Sequence, residues 1–124
     1  MMAETKTNTV AIVGVGLIGR AWAAIFARAG WSVRATDPHA PTLENSPKLI
    51  RDELHALARH GLADDPDGAA ARVTVAASLA DAVQGASFVQ ENGPEKVEDK
   101  IALFAELDRL AAPDAILASS TSAI

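Results

Sequence analysis

Residues 14–19 read Gly14-Val15-Gly16-Leu17-Ile18-Gly19, three glycines at the spacing G-x-G-x-x-G, and Asp37 stands 18 residues beyond the last of them. Each position suits one physical task. Gly14 permits a tight turn out of a strand, Gly16 has no Cβ to hold off a group approaching the backbone, and Gly19 lets a helix sit close on that strand. The free N–H groups and dipole of the helix that follows would face an anion, best a diphosphate. A carboxylate at Asp37 would then accept both hydroxyls of an adenosine ribose and repel a 2′-phosphate, which favours NAD over NADP. Arg34 is the one nearby cation that argues the other way, although it lies within the strand. Two alternatives stay open at this level: a plain glycine turn with an aspartate capping the next segment, and a flavin on the same motif.

The remaining polar residues suggest no second chemistry. His39, His55 and His60 share no metal-ligand spacing and read as solvated side chains, with His39 placed where it could brush an adenine ring. Asp64-Asp65-Pro66-Asp67-Gly68 is turn chemistry that resembles part of a calcium loop. However, Ala63 takes the first ligand position, Pro66 intrudes, and Thr74 stands where the closing glutamate belongs. No cysteine is present, so no thiol nucleophile, disulfide or cysteine zinc site exists, and a reducing cytoplasm is the expected compartment. A formal charge of −5 argues against nucleic-acid or anionic-lipid partners. With 49% apolar and 22% charged residues, the chain is expected to fold.

The elements that position the glycine turn follow from periodicity. Thr9–Val13 is a short β-branched run, as in a strand buried on both faces. Leu17, Ala21, Ala24 and Ile25 recur at helical spacing until Gly30, and Trp31–Ala35 forms the second strand. A second helix is expected after Asn45-Ser46-Pro47, with Ile50, Leu54, Leu57 and Ala58 on its stripe and Gly61 at its end. Arg72–Ala76 reads as a weak strand, Leu79–Val83 as a short helix, and Ser87–Gln90 as a strand leading into Glu91-Asn92-Gly93-Pro94. Val97, Ile101, Phe104, Leu107 and Ala111 mark a further helix, and Ala115–Ala118 a last strand. Strands alternating with helices predict an α/β, doubly wound parallel sheet of Rossmann type within one domain of 124 residues. Met1–Asn8 is expected to be a flexible tail and 9–124 the nucleotide domain. Lys6 with the apolar run Val10–Ile18 could mimic a secretion signal, but Gly14 and Gly16 interrupt that run, Gly19 ends it, and no segment approaches the roughly 20 apolar residues of a membrane span.

Three segments, VAIVGVGLIGRAWAAIFARAG, FVQENGPEKVEDKIALFAELD and ILASSTSAI, resemble in order and spacing the NAD-binding half of the 3-hydroxyacyl-CoA dehydrogenase family. The GRAWAAIFA run and the SSTS form are most similar to its λ-crystallin branch, which includes L-gulonate 3-dehydrogenase, with carnitine 3-dehydrogenases related. The resemblance implies hydride transfer from C3 of an L-3-hydroxy substrate, acyl-CoA or small molecule, to NAD. It also implies roles for particular residues. Gly14, Gly16, Leu17, Ile18 and Gly19 match the pyrophosphate turn, and Asp37 the ribose acid. Glu95 and Lys100 match a pair at the nicotinamide end, and Ser122 matches the active-site serine that binds the substrate hydroxyl. The family's catalytic histidine and its helical domain, which supplies most of the dimer contact, come after the serine motif. The 124 residues are therefore expected to be the front of a longer, homodimeric enzyme. Where acyl-CoA enzymes tend to carry serine and lysine that meet CoA, this chain has Glu53 and His60, and an acid there favours a smaller substrate. A non-catalytic NAD-binding module is the alternative from another class.

Overall fold

The structure is a computed structural model and describes residues 8–93 and 97–120. Five strands, β1 (Thr9–Val13), β2 (Ser32–Thr36), β3 (Val73–Val75), β4 (Phe88–Glu91) and β5 (Ile116–Ser119), form one parallel sheet in the order β3-β2-β1-β4-β5. β1 lies at the centre, pairing Val10 with Val33 on one side and Phe88 on the other. The strand order reverses beside it, between the β2 and β4 sides, and ligands of such sheets bind at that crevice, outside the carboxyl ends of the strands. The expected Rossmann-type sheet is therefore what the chain forms.

Helices cover both faces. Helices α1 (Leu17–Arg28), α2 (Ala40–Arg59) and α3 (Pro66–Ala71) lie on one face, over a core of Val10, Ile12, Val33, Ile50 and Leu54. On the other, α4 (Leu79–Val83) and α5 (Val97–Leu110) enclose Ala11, Val83, Val89 and Leu107. An aromatic cluster of Phe26, Trp31 and Phe88, with ring centroids 5.0 to 6.3 Å apart, closes the amino-terminal end of the sheet. The carboxyl end is left for the site.

Several expectations on single elements are corrected. The second helix starts at Ala40, capped by His39, whose ring accepts from the Thr42 N–H, and Pro47 lies inside it. A proline there removes the donor that would serve the Leu43 carbonyl, and the Ser46 hydroxyl donates to that carbonyl instead at 2.7 Å. The helix therefore survives a residue that reads as its start. The turn at Asp64–Gly68 grows into α3, with Asp65 accepting from the Gly68 N–H at 3.0 Å as its cap. Strands β2, β4 and β5 each both start and end one residue later than periodicity indicates.

The apolar stripes shift as well. In α1 the buried positions are Gly19, Ala23, Ala24 and Ala27, whereas Leu17 is 73% and Ile25 43% exposed. Small residues win the inner face because this helix touches the strand backbone: a Cβ on Gly19 would lie 1.8 Å from the Gly14 carbonyl oxygen. In α5, Leu107 is buried as expected, but Ile101 is 66% exposed and Lys100 takes the inward position. Among the described residues, no helix is long and apolar enough to cross a membrane.

Candidate functional site

The site begins where β1 ends. Gly14 has φ +92°, a left-handed backbone that favours glycine, and its N–H donates to the Thr36 carbonyl at 2.9 Å. That bond joins the turn to the end of β2. Gly16 then caps α1 without any side-chain hydrogen bond to the helix amides. Its backbone (φ −68°) would accept any residue, and a Cβ built there meets nothing within 4 Å. Neither strain nor packing within the chain explains this glycine, whereas a ligand lying against the backbone does. Leu17 and Ile18 follow with exposed side chains beside the turn.

Asp37 faces the same opening. Its Oδ2 accepts from the Val15 N–H at 2.9 Å and its Oδ1 from the His39 N–H at 2.9 Å, so both oxygens are oriented by backbone donors. A carboxylate oxygen has further lone pairs, so Asp37 can accept additional donors from a ligand in the opening. Arg34, the possible counter-argument, turns to the other face and donates to the Gln84 and Asp81 carbonyls, the latter at 3.4 Å. A cleft of about 440 Å³ runs from His39 and Thr42 past Asp37, Gly14 and Gly16 to Asn92 and Gly93. Its far end lies on the β4 side of the switch point. His39 lies on the rim at the Thr42 end of the cleft, with its ring bound to the Thr42 hydroxyl at 2.7 Å.

The β4 side holds a network that sequence reasoning missed. Glu91, the last residue of β4, is fully buried, and Lys100 from α5 donates to both of its oxygens at 2.6 Å. The Gly93 N–H also donates to this carboxylate, as does the Ser119 hydroxyl at 2.7 Å. The lysine ammonium further donates to the Gly93 carbonyl at 3.2 Å. Next in the chain, Asn92 donates through Nδ2 to the Gly14 carbonyl at 3.3 Å and accepts from the Ser120 hydroxyl at 2.5 Å. Ser120 in turn accepts from Gln90 at 2.8 Å and from the Trp22 indole at 3.1 Å. Lys100 is thus brought to the site, but with its charge turned onto Glu91. Glu95 and Ser122 lie outside the described residues. The one available signal for Glu91 was an acid ending an otherwise buried strand, which reads as the start of a loop.

Away from the cleft, Glu53 borders an apolar groove between α1 and α2 with Ala21, Ile25, Leu57 and His60. Burial raises its carboxyl above the usual 4.5, opposed in part by Arg20. His55 pairs with Asp67 at 2.8 Å, which, with Arg51, holds that carboxyl below its usual range. Among the described residues no group of three His, Asp or Glu is placed to hold a metal ion.

A parallel sheet whose first strand turns through G-x-G-x-x-G into helix amides, with an oriented acid ending the second strand, is a dinucleotide-binding domain. The model of the 3-hydroxyacyl-CoA dehydrogenase NAD-binding domain matches residues 9–124. The chain belongs to that family, and its dinucleotide is NAD. It is 37% identical over 126 residues to the Lambda-crystallin homolog of Rattus norvegicus, covering 99% of this chain and 40% of that protein. Identity to L-carnitine dehydrogenase of Streptomyces griseus is 43% over 121 residues, covering 97% and 35% respectively. The crystal structure of 3-hydroxybutyryl-CoA dehydrogenase from Escherichia coli superposes with a TM-score of 0.85 at 29% identity, covering 97% of this chain and 26% of that one. The chain therefore spans well under half the length of these relatives.

Proposed function

We propose that this chain is the cofactor-binding part of an NAD-dependent dehydrogenase that oxidises an L-3-hydroxy substrate at C3 to the 3-keto product. The observation that carries the reading is the cleft itself, with uncapped α1 amides at Gly16 beside an Asp37 carboxylate aimed by two backbone donors. In this reading Gly14, Gly16, Leu17, Ile18 and Gly19 hold the diphosphate, and Asp37 holds the adenosine ribose. The bound NAD supplies the hydride acceptor. Ser122 hydrogen-bonds the substrate hydroxyl and orients C3, and Glu95 and Lys100 belong to the nicotinamide side. The hydroxyl proton passes to a general base, which the family's pattern assigns to a histidine after the serine motif.

A small 3-hydroxy acid fits better than an acyl-CoA. The α1–α2 groove that carries Glu53 would set a carboxylate against the phosphates of CoA, and repulsion across a partly desolvated surface is weakly screened. Relatives named for L-carnitine agree with that preference. Calorimetric titration with NAD and NADP tests the first part: NAD should bind at least about tenfold more tightly, the loss expected when a carboxylate meets a 2′-phosphate. No heat with either nucleotide would overturn the reading. Steady-state rates of the enzyme that carries this part together with the histidine segment, on L-carnitine, L-gulonate and, in reverse, acetoacetyl-CoA, test the second; turnover confined to the CoA substrate would reject the small-substrate assignment.

A further inference from the structure

The hydroxyl of Ser120, the residue that follows β5, has one proton to give and two lone pairs, and all three are used. It donates to Asn92 Oδ1 at 2.5 Å and accepts from the buried Gln90 amide at 2.8 Å and from the Trp22 indole at 3.1 Å. The backbone is tied as well, through the Ser120 N–H to the Glu91 carbonyl at 2.8 Å. A hydroxyl saturated by the chain's own groups has nothing left for a ligand. Its effect is to hold the backbone at the point where the chain leaves the sheet.

Two of the three partners, Gln90 and Asn92, belong to the neighbouring strand β4 and the turn after it. Trp22 arrives from α1, 98 residues away in the chain, and stands outside the residues that line the cleft. Its ring leans on Phe26, with centroids 6.1 Å apart, and Phe26 is part of the aromatic cluster at the other end of the sheet. The indole N–H is thus braced by packing and aimed at Ser120. With 37% of the residue exposed, water could serve that N–H equally well, so the bond is not one that burial demands. What it adds is a fixed direction. Ser122 follows two residues on, and two residues of chain reach no more than about 7 Å from the anchored point. We propose that Trp22 is a positioning residue for Ser122: its N–H, through the Ser120 hydroxyl, fixes where the chain departs from β5 and so where that serine meets the substrate. The inference rests on the proposed role of Ser122 and adds to it a residue that acts from outside the cleft.

The test is a double-mutant cycle in the enzyme that carries this part together with the histidine segment, assayed on whichever of L-carnitine, L-gulonate and acetoacetyl-CoA it turns over. Trp22→Phe keeps a ring against Phe26 and removes the N–H, and should lower kcat about fivefold. The 124-residue chain with the same change should bind NAD within about twofold of the parent, since the diphosphate turn keeps its own bonds. Ser120→Ala removes all three side-chain bonds and should lower kcat at least about tenfold, because a reacting group out of place costs rate steeply. In a Ser122→Ala background both changes should cost less than about twofold, since the group they position is gone. A residue that touches the substrate, or that supports the fold at large, would instead cost the same in either background, and that result overturns the proposal. So does an unchanged kcat in Trp22→Phe, or an equal loss of NAD affinity and of kcat. Should Ser120→Ala not fold, the Trp22→Phe arm of the cycle decides. A wild-type rate for Ser122→Ala alone removes that serine from its assigned role, and the inference falls with it.

Discussion

In the proposed reading, Asp37 carries the choice of nucleotide on one carboxylate, which the Val15 and His39 amides hold. Asp37→Ala removes two charge-assisted acceptors for ribose, so NAD should bind about tenfold or more weakly while the gap to NADP narrows; titration calorimetry measures both. At Gly19 the constraint is steric. With a Cβ 1.8 Å from the Gly14 oxygen, Gly19→Ala must push α1 off β1 and displace the diphosphate turn, so both NAD affinity and melting temperature should fall. Glu53 gives a pH signature. Its folded carboxyl titrates above the unfolded 4.5, so the folded state holds this proton more tightly and stability falls as pH rises through that interval. Glu53→Gln should therefore raise the melting temperature at pH 7, by about one or two degrees given its partial exposure, and leave it unchanged at pH 4. Thermal unfolding at the two pH values checks the sign.

At the scale of elements, α2 shows how a local signal can be overruled. Asn45-Ser46-Pro47 has the composition of a helix start, and the chain instead runs through it, because Ser46 supplies the hydrogen bond that Pro47 cannot. Ser46 is fully buried, so Ser46→Ala leaves the Leu43 carbonyl without this donor and should cost about 1–2 kcal/mol in urea unfolding. The strands were legible almost to the residue, since a sheet covered on both faces demands continuous apolar runs bounded by turns. The helix faces were less so. Periodicity assigns Leu17, Ile25 and Ile101 inward, and the fold turns them outward, because α1 approaches β1 through glycine and alanine and α5 is anchored by Lys100.

For the molecule as a whole, the site is a junction between two halves of the sheet. The β2 side offers an acid and the turn amides, and the β4 side offers Glu91, Asn92 and the end of β5, with Asn92 bridging to the Gly14 carbonyl. A ligand seated across this junction stabilises the folded chain by mass action. NAD at a hundred times its dissociation constant should add about 2.7 kcal/mol, with NADP at the same concentration adding much less. Thermal shift against concentration of each nucleotide measures this directly.

The glycine turn, the acid beside it and the alternation of strands with helices are local patterns of a few residues, and periods of two and 3.6 with glycine at required places specify them before any folding is considered. The sequence thus determined the class of fold, the glycine turn after the first strand and the acid that faces it. The burial of Glu91 against Lys100, its reach to Ser119, the link from Asn92 to Ser120 and the turning of Arg34 away from the cleft were decided only in three dimensions. These contacts join residues from separate strands and helices, and no spacing along one element encodes a partner that arrives from another.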